Sequence, residues 1–207
     1  MKLTITRALA ELKLLDKRIQ KEIVGINYVD LYRKRHNKLK KTQMTVEEYE
    51  KAVQSDMQSL NDLMHRRRKM KAALLESNAT TIIKVAGEKM TVAEAIDRKQ
   101  TIDYLKQMVE VMRHQYSYAL SQVQEDEPKL QERVEAMLEA NLGKDKKVDS
   151  DDYDKIALPF IEANTLRMVD PLKIDKEIKK LDEMIDEFES EVDFVLSESN
   201  ARTEIEV

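Results

Sequence analysis

Leu74-Leu75-Glu76-Ser77-Asn78-Ala79-Thr80-Thr81-Ile82-Ile83-Lys84-Val85 occurs once in the middle of the chain and returns at residues 196–207 as Leu196-Ser197-Glu198-Ser199-Asn200-Ala201-Arg202-Thr203-Glu204-Ile205-Glu206-Val207. Eight of the twelve positions are identical. Both copies change character at the same place. Helix formers run up to Ser-Asn-Ala, and alternating β-branched residues follow. The segments that open each half match as well: Lys2-Leu3-Thr4-Ile5-Thr6-Arg7-Ala8-Leu9 resembles Lys89-Met90-Thr91-Val92-Ala93-Glu94-Ala95-Ile96. The chain therefore reads as a duplicated unit of long helices that begins and ends in a short extended segment. The expected class is mainly α: two long antiparallel helical hairpins, coiled-coil or four-helix-bundle-like, with a small antiparallel β element at the repeat junction and the C-terminus. Residues 1–88 form the first half and residues 89–207 the second, within one integrated domain.

Working outward, the first helix is expected from Ile5 to about Lys40. Ile5, Ala8, Leu9, Leu12, Leu15, Ile19, Ile23, Ile26 and Tyr32 recur at steps of three and four. Gly25 sits inside this stretch at a cost of about 1 kcal/mol relative to Ala. Thr45-Val46-Glu47-Glu48 is a capping box, and a second helix follows to about Glu76. Thr81 to Val85 is a strand, Ala86-Gly87-Glu88 a tight turn, and Lys89-Met90 a return strand. Thr91 and Glu94 form a second capping box for a helix from Val92 to about Gln124. Residues 126–169 read as an insertion containing Pro128, a short helix from Leu130 to Leu142, Gly143, a charged loop, and a segment from Ile156 to Met168. Asp170-Pro171 opens the last helix, with Asp as N-cap and Pro at N1.

Asn78 and Asn200 stand at the helix-to-strand junctions, where Asn tolerates a left-handed conformation. The period-two pattern of Thr203-Glu204-Ile205-Glu206-Val207 marks a strand. A lone strand has no stability, so its partner must be the central hairpin, the N-terminal segment or another subunit.

Composition narrows the classes. The 207 residues include three Gly, three Pro, no Cys and 37% charged residues. Disulfides, thiolate metal sites and Cys nucleophiles are excluded, and a reducing cytoplasm is the expected compartment. No apolar run approaches the roughly 20 residues of a membrane span. Arg7, Glu11 and Lys13 follow the first residues at once, so no signal peptide is expected. Charge is uneven: residues 1–88 carry 19 Lys/Arg against 11 Asp/Glu, and residues 89–207 carry 17 against 29. Either the halves attract each other, or the basic half binds an anion.

Catalytic motifs are missing: no phosphate loop, dinucleotide fingerprint, nucleophile elbow or zinc-protease motif. No enzymatic activity and no cofactor are expected. His36, His65 and His114 are far apart and are not read as a metal site. Asp149, Asp151, Asp152 and Asp154 lack the Gly and closing Glu of a calcium loop and read as a solvated acidic loop.

Three groups of cations and aromatics remain. Arg33-Lys34-Arg35-His36 with Lys38, Lys40 and Lys41 lies near the tip of the first hairpin. His65-Arg66-Arg67-Arg68-Lys69 with Lys71 lies along the second helix. Consecutive helical residues splay by about 100°, so Arg66, Arg67 and Arg68 face different ways. Some are expected to pair with acids of the second half, others to face an anion at a subunit junction. In the third helix, Arg113-His114-Gln115-Tyr116-Ser117-Tyr118 offers Tyr118 for base stacking and Arg113 for a phosphate. The candidate ligand-binding residues are thus Arg66, Arg67, Arg68, Lys69, Arg113 and Tyr118.

The stretch Asn78-Ala79-Thr80-Thr81 through Val85-Ala86-Gly87 to Thr91-Val92-Ala93-Glu94-Ala95-Ile96, preceded by a helical hairpin, resembles the septicolysin-like family of small bacterial and phage proteins. The resemblance implies long helical hairpins joined by a small β element and a ring-like homo-oligomer in a bacterial cytoplasm. It implies no catalytic residues. Two functions stand side by side: a non-enzymatic phage-type oligomer that sequesters a small anionic nucleotide, and a scaffolding coiled-coil protein without a small-molecule ligand. Nucleic-acid binding ranks behind both, because no continuous basic face is evident. No membrane partner is expected.

Overall fold

A computed structural model of the chain describes all residues except 34, 36, 144–148 and 150–152. It is mainly α, with long helices packed against each other and two small antiparallel sheets of two strands each. The order is β1 (Lys2–Thr4), α1 (Ile5–Gly25), α2 (Val46–Thr80), β2 (Ile82–Val85), β3 (Glu88–Thr91), α3 (Val92–Leu142), a π-helical turn (Tyr153–Ala157), α4 (Leu158–Asn164), α5 (Ile174–Arg202) and β4 (Glu204–Glu206). Two compact units emerge: Met1–Gln100 with Phe188–Val207, and Thr101–Glu187.

In the first unit the terminal strand finds its partner at the other end of the chain. β4 pairs antiparallel with β1, placing Leu3 opposite Ile205. β2 pairs antiparallel with β3, placing Ile83 opposite Met90. The N–H of Ile5 donates to the Thr203 carbonyl at 3.0 Å, and the N–H of Val92 donates to the Thr81 carbonyl at 2.9 Å. The helix ends are alike too: Thr81 N–H donates to Ser77 O and Thr203 N–H to Ser199 O, both at 2.9 Å. Asn78 and Asn200 stay inside the last turns of α2 and α5, and neither adopts positive φ. The left-handed conformation is not needed, because Thr81 and Thr203 carry the chain directly into extended geometry.

Between β2 and β3, Ala86 and Gly87 both take positive φ, 48° and 77°. That is the mirror-image turn whose twist matches a two-stranded hairpin. Beneath the β1–β4 pair, Leu3, Ile5, Ala8, Leu12 and Leu15 pack with Met70, Leu74 and Ile205. Further along, Ile19 and Ile26 pack with Leu60. Each large apolar side chain so buried contributes about 1.5–3 kcal/mol. α1 and α2 are therefore antiparallel neighbours, as their stripes require.

The structure corrects several sequence boundaries. α1 ends at Gly25, not near Lys40. After the poor helix former Gly25, a carboxylate organises a different path. Asp30 accepts from the N–H groups of Leu31, Lys41 and Thr42 and from the Thr42 hydroxyl, at 2.7 to 3.2 Å. Tyr49 donates its hydroxyl proton to the Asn27 carbonyl at 2.7 Å, and Ile26 and Leu39 are buried. The described residues between Gly25 and Val46 form a loop rather than a helix. α2 opens with the Thr45–Glu48 capping box and reaches Thr80 rather than Glu76.

α3 does not stop near Gln124. It runs through Pro128 to Leu142, absorbing the segment expected as a separate helix. An internal Pro costs about 3 kcal/mol. Packing in the second unit offsets it: Leu130, Val134 and Leu138, at four-residue spacing, bury against Ala157, with Ile156, Phe160 and Ile161 alongside. Gly143, at φ +83°, ends the helix. The segment from Ile156 to Met168 holds the end of the π-helical turn and α4. The last helix starts at Ile174, three residues beyond Pro171. Asp170 still caps it, but by accepting the Ile174 N–H at 2.9 and 3.0 Å across a turn through Pro171.

Candidate functional site

The basic run on α2 faces the helix beside it. Arg66 is ion-paired with Glu11, and Arg67 donates from Nε to Asp16. Both acids lie on α1, not in the second half as expected. The antiparallel packing of α1 on α2 brings Glu11 and Asp16, five residues apart on α1, beside the basic run. The hydrogen bond that Arg67 donates to Asp16, together with the Asp16 charge, pushes the guanidinium above its ordinary value. Arg68 and Lys69 are exposed. Lys69 and Arg66 edge a cleft of about 440 Å³ beside Met1, His65 and Val207, with the Asp62 carboxylate in the same lining.

On α3, Arg113 donates to Asp182 of α5 at 2.7 Å, inside the second unit. Tyr118 is 62% exposed. A concavity of about 810 Å³ runs beside both, but every lining residue from Glu110 to Ser121 belongs to α3. It is the flank of one helix rather than an enclosed pocket, and Glu110 adds a negative charge to it. Arg66, Arg67 and Arg68 lie in one compact unit and Arg113 and Tyr118 in the other. Arg66, Arg67 and Arg113 are each already held by a carboxylate.

A further cavity lies elsewhere. About 840 Å³ is lined by the α1–α2 loop, with Tyr32, Arg33, Arg35, Lys38, Lys40 and Gln43 among its walls. These cations read in sequence as part of a helix. The signals for a loop were Gly25 followed by Asn27 and Asp30. Burial pushes the Asp30 carboxyl up, but the hydrogen bonds from Thr42, Lys41 and Leu31 outweigh it and hold it at about 2, against an ordinary 3.8. The loop frame is thus fixed by an ionised carboxylate at any ordinary pH. Lys34 and His36 of this cluster lie outside the described residues, as do Asp151 and Asp152 of the acidic loop.

Among the described residues, no group of three His, Cys, Asp or Glu side chains could hold a metal ion, and no polar or charged residue is buried. Among the described residues, no helix is long and apolar enough to cross a membrane. The chain matches no family model, no curated protein and no solved structure.

Proposed function

We propose that this protein is a non-catalytic cytoplasmic scaffold that works through its helical surfaces rather than through a small-molecule pocket. The observation that carries this reading is the engagement of Arg66, Arg67 and Arg113 by Glu11, Asp16 and Asp182. An anion that took these guanidinium groups would have to displace a carboxylate already in place. The tyrosine intended for stacking lies on an open helix flank rather than in a cleft that would exclude water. Charge exchange tests it. Arg67→Glu is expected to lower the melting temperature, and Asp16→Arg with Arg67→Glu to recover most of the loss. A double variant no better than the single one would contradict a helix-pairing role.

A second reading has its own observation. The loop cavity, with Arg33, Lys38 and Lys40 beside Tyr32, has the volume and charge to take a phosphate-bearing molecule. Nucleotide binding that is lost in Arg33→Glu/Lys38→Glu but kept in Arg66→Ala would favour it over the scaffold.

A further inference from the structure

On a helix, Arg33, Arg35, Lys38 and Lys40 would splay around the axis by about 100° per residue and leave no common face. The loop does the opposite. All four line one concavity of about 840 Å³, together with Tyr32 and Gln43. The acids beside them are committed elsewhere. Asp30, the one acid in residues 26–45, accepts from the N–H groups of Leu31, Lys41 and Thr42. Glu48, close enough to Lys38 for their charges to interact, accepts the Thr45 N–H at 2.9 Å in the capping box. Positive charge therefore dominates the walls. The hydrogen bonds to Asp30 also fix the loop in advance, so a ligand that enters forfeits little loop entropy.

Four cations exceed the need of one phosphate. Each is exposed, and a single exposed ion contact is screened and weak. A chain of phosphates differs, because every phosphate neutralised releases counterions and the gains accumulate. Tyr32, 48% exposed in the same lining, offers a ring face. Bases of a single strand are free to stack on such a ring, whereas those of a duplex are already stacked on one another. The cations stand on a concave loop, not on a helix or β-ribbon shaped for a major groove. A phospholipid surface is flat and reaches into a hollow less well than a strand does. We infer that the 26–45 loop binds single-stranded nucleic acid, with Arg33, Lys38 and Lys40 on the phosphates and Tyr32 against a base. This inference rests on the loop-cavity reading and narrows its phosphate-bearing molecule to a strand.

The experiment is fluorescence anisotropy of the full chain with labelled single strands of DNA or RNA of about 12 nucleotides, within the span of known single-strand sites. Salt is varied, and ATP and the matching duplex serve as competitors. The strand is expected to bind, and ATP to compete at least tenfold less well. Arg33→Gln/Lys38→Gln is expected to weaken binding about tenfold or more. It should also flatten the log–log salt slope by about 1.4, at about 0.7 per phosphate contact on a single strand. Lys13→Gln/Lys17→Gln on α1 changes net charge equally and is expected to leave binding as it was. Tyr32→Ala should cost about fivefold or more with the salt slope unchanged, and Tyr32→Phe should restore it. Circular dichroism controls for folding. No strand binding at low salt, equal loss in the α1 variant, or a duplex bound as tightly as the strand would each overturn the inference. So would binding to vesicles of anionic phospholipid with none to the strand, because the occupant would then be a membrane surface. ATP competing as well as the strand, and losing affinity in Arg33→Gln/Lys38→Gln, would overturn the strand and leave the loop-cavity reading standing. Binding of both that ignores Arg33 and Lys38 would remove that reading too.

Discussion

The pairs β2–β3 and β1–β4 make the same junction by different means. In each, a helix runs out through Ser-Asn-Ala, a Thr N–H returns to a Ser carbonyl at 2.9 Å, and the next strand pairs with the strand that opens another helix. Ile83 and Ile205 occupy matching buried positions, 9% and 6% exposed. The β2–β3 junction is closed by two residues, Ala86 and Gly87. The β1–β4 junction is closed by nothing local, and its strands lie about two hundred residues apart in the chain. The hydrogen bonds are alike, but the entropy of bringing the strands together is not. The non-local junction therefore depends on the core beneath it, where Ile205 meets Leu3, Met70 and Leu74.

The largest test of that contrast is removal of Thr203–Val207. The deletion strips β1 of its partner β4, the Ile5 N–H of its acceptor and the core of Ile205. An early, broadened melting transition is expected, and an unchanged thermal curve would show that β4 contributes nothing to the fold. Next come Ile205→Ala and Ile83→Ala. Each is expected to cost about 2–5 kcal/mol, the range for truncating a buried Ile. In hydrogen exchange, the Ile205 variant is expected to expose the β1–β4 amides while β2–β3 stays protected, and equal loss at both pairs would erase the contrast.

Smaller is Gly87→Ala. Nothing crowds a Cβ there, but φ is +77°, so a loss of about 1 kcal/mol is expected from backbone strain alone. It should be confined to the hairpin, which chemical denaturation combined with exchange would reveal.

The smallest effect concerns the caps. Thr91 and Glu94 bond reciprocally, whereas the matching Thr4 only accepts, weakly, from the Arg7 N–H at 3.4 Å. Arg7→Glu should complete a box there and raise the melting temperature slightly. The hydrogen bonds from Thr91 hold the Glu94 carboxyl below its ordinary 4.5. Its folded value is depressed, so its contribution is present above about 4.5 and lost as pH falls through the folded value. Glu94→Gln should remove that acid-sensitive component. A variant with the same pH dependence as wild type would show that the cap is not titrating.

What the sequence revealed follows the same division between local and distant. The hairpin at Ala86-Gly87 and both capping boxes were legible, because each is written within a few neighbouring residues. The partner of Thr203–Val207 was not, because pairing across the whole chain leaves no local mark. Helix ends failed where a tertiary contact overrode propensity. Pro128 would ordinarily stop α3, but Leu130, Val134 and Leu138 have a surface to bury against. The apolar spacing past Gly25 looked helical, yet Asp30 offered four donors a better acceptor. Of the candidate site, residue types were legible and partners were not. Arg66 and Arg67 read as available cations until α1 placed Glu11 and Asp16 beside them, and the basic loop cavity was hidden inside an expected helix.

The most direct test of the scaffold role is native mass spectrometry of the purified chain, alone and with linear and cyclic nucleotides. The expected spectrum shows the same masses with and without nucleotide, since Arg66, Arg67 and Arg113 are already engaged. A fixed number of nucleotides retained per assembly, and lost on substitution of those arginines, would contradict it.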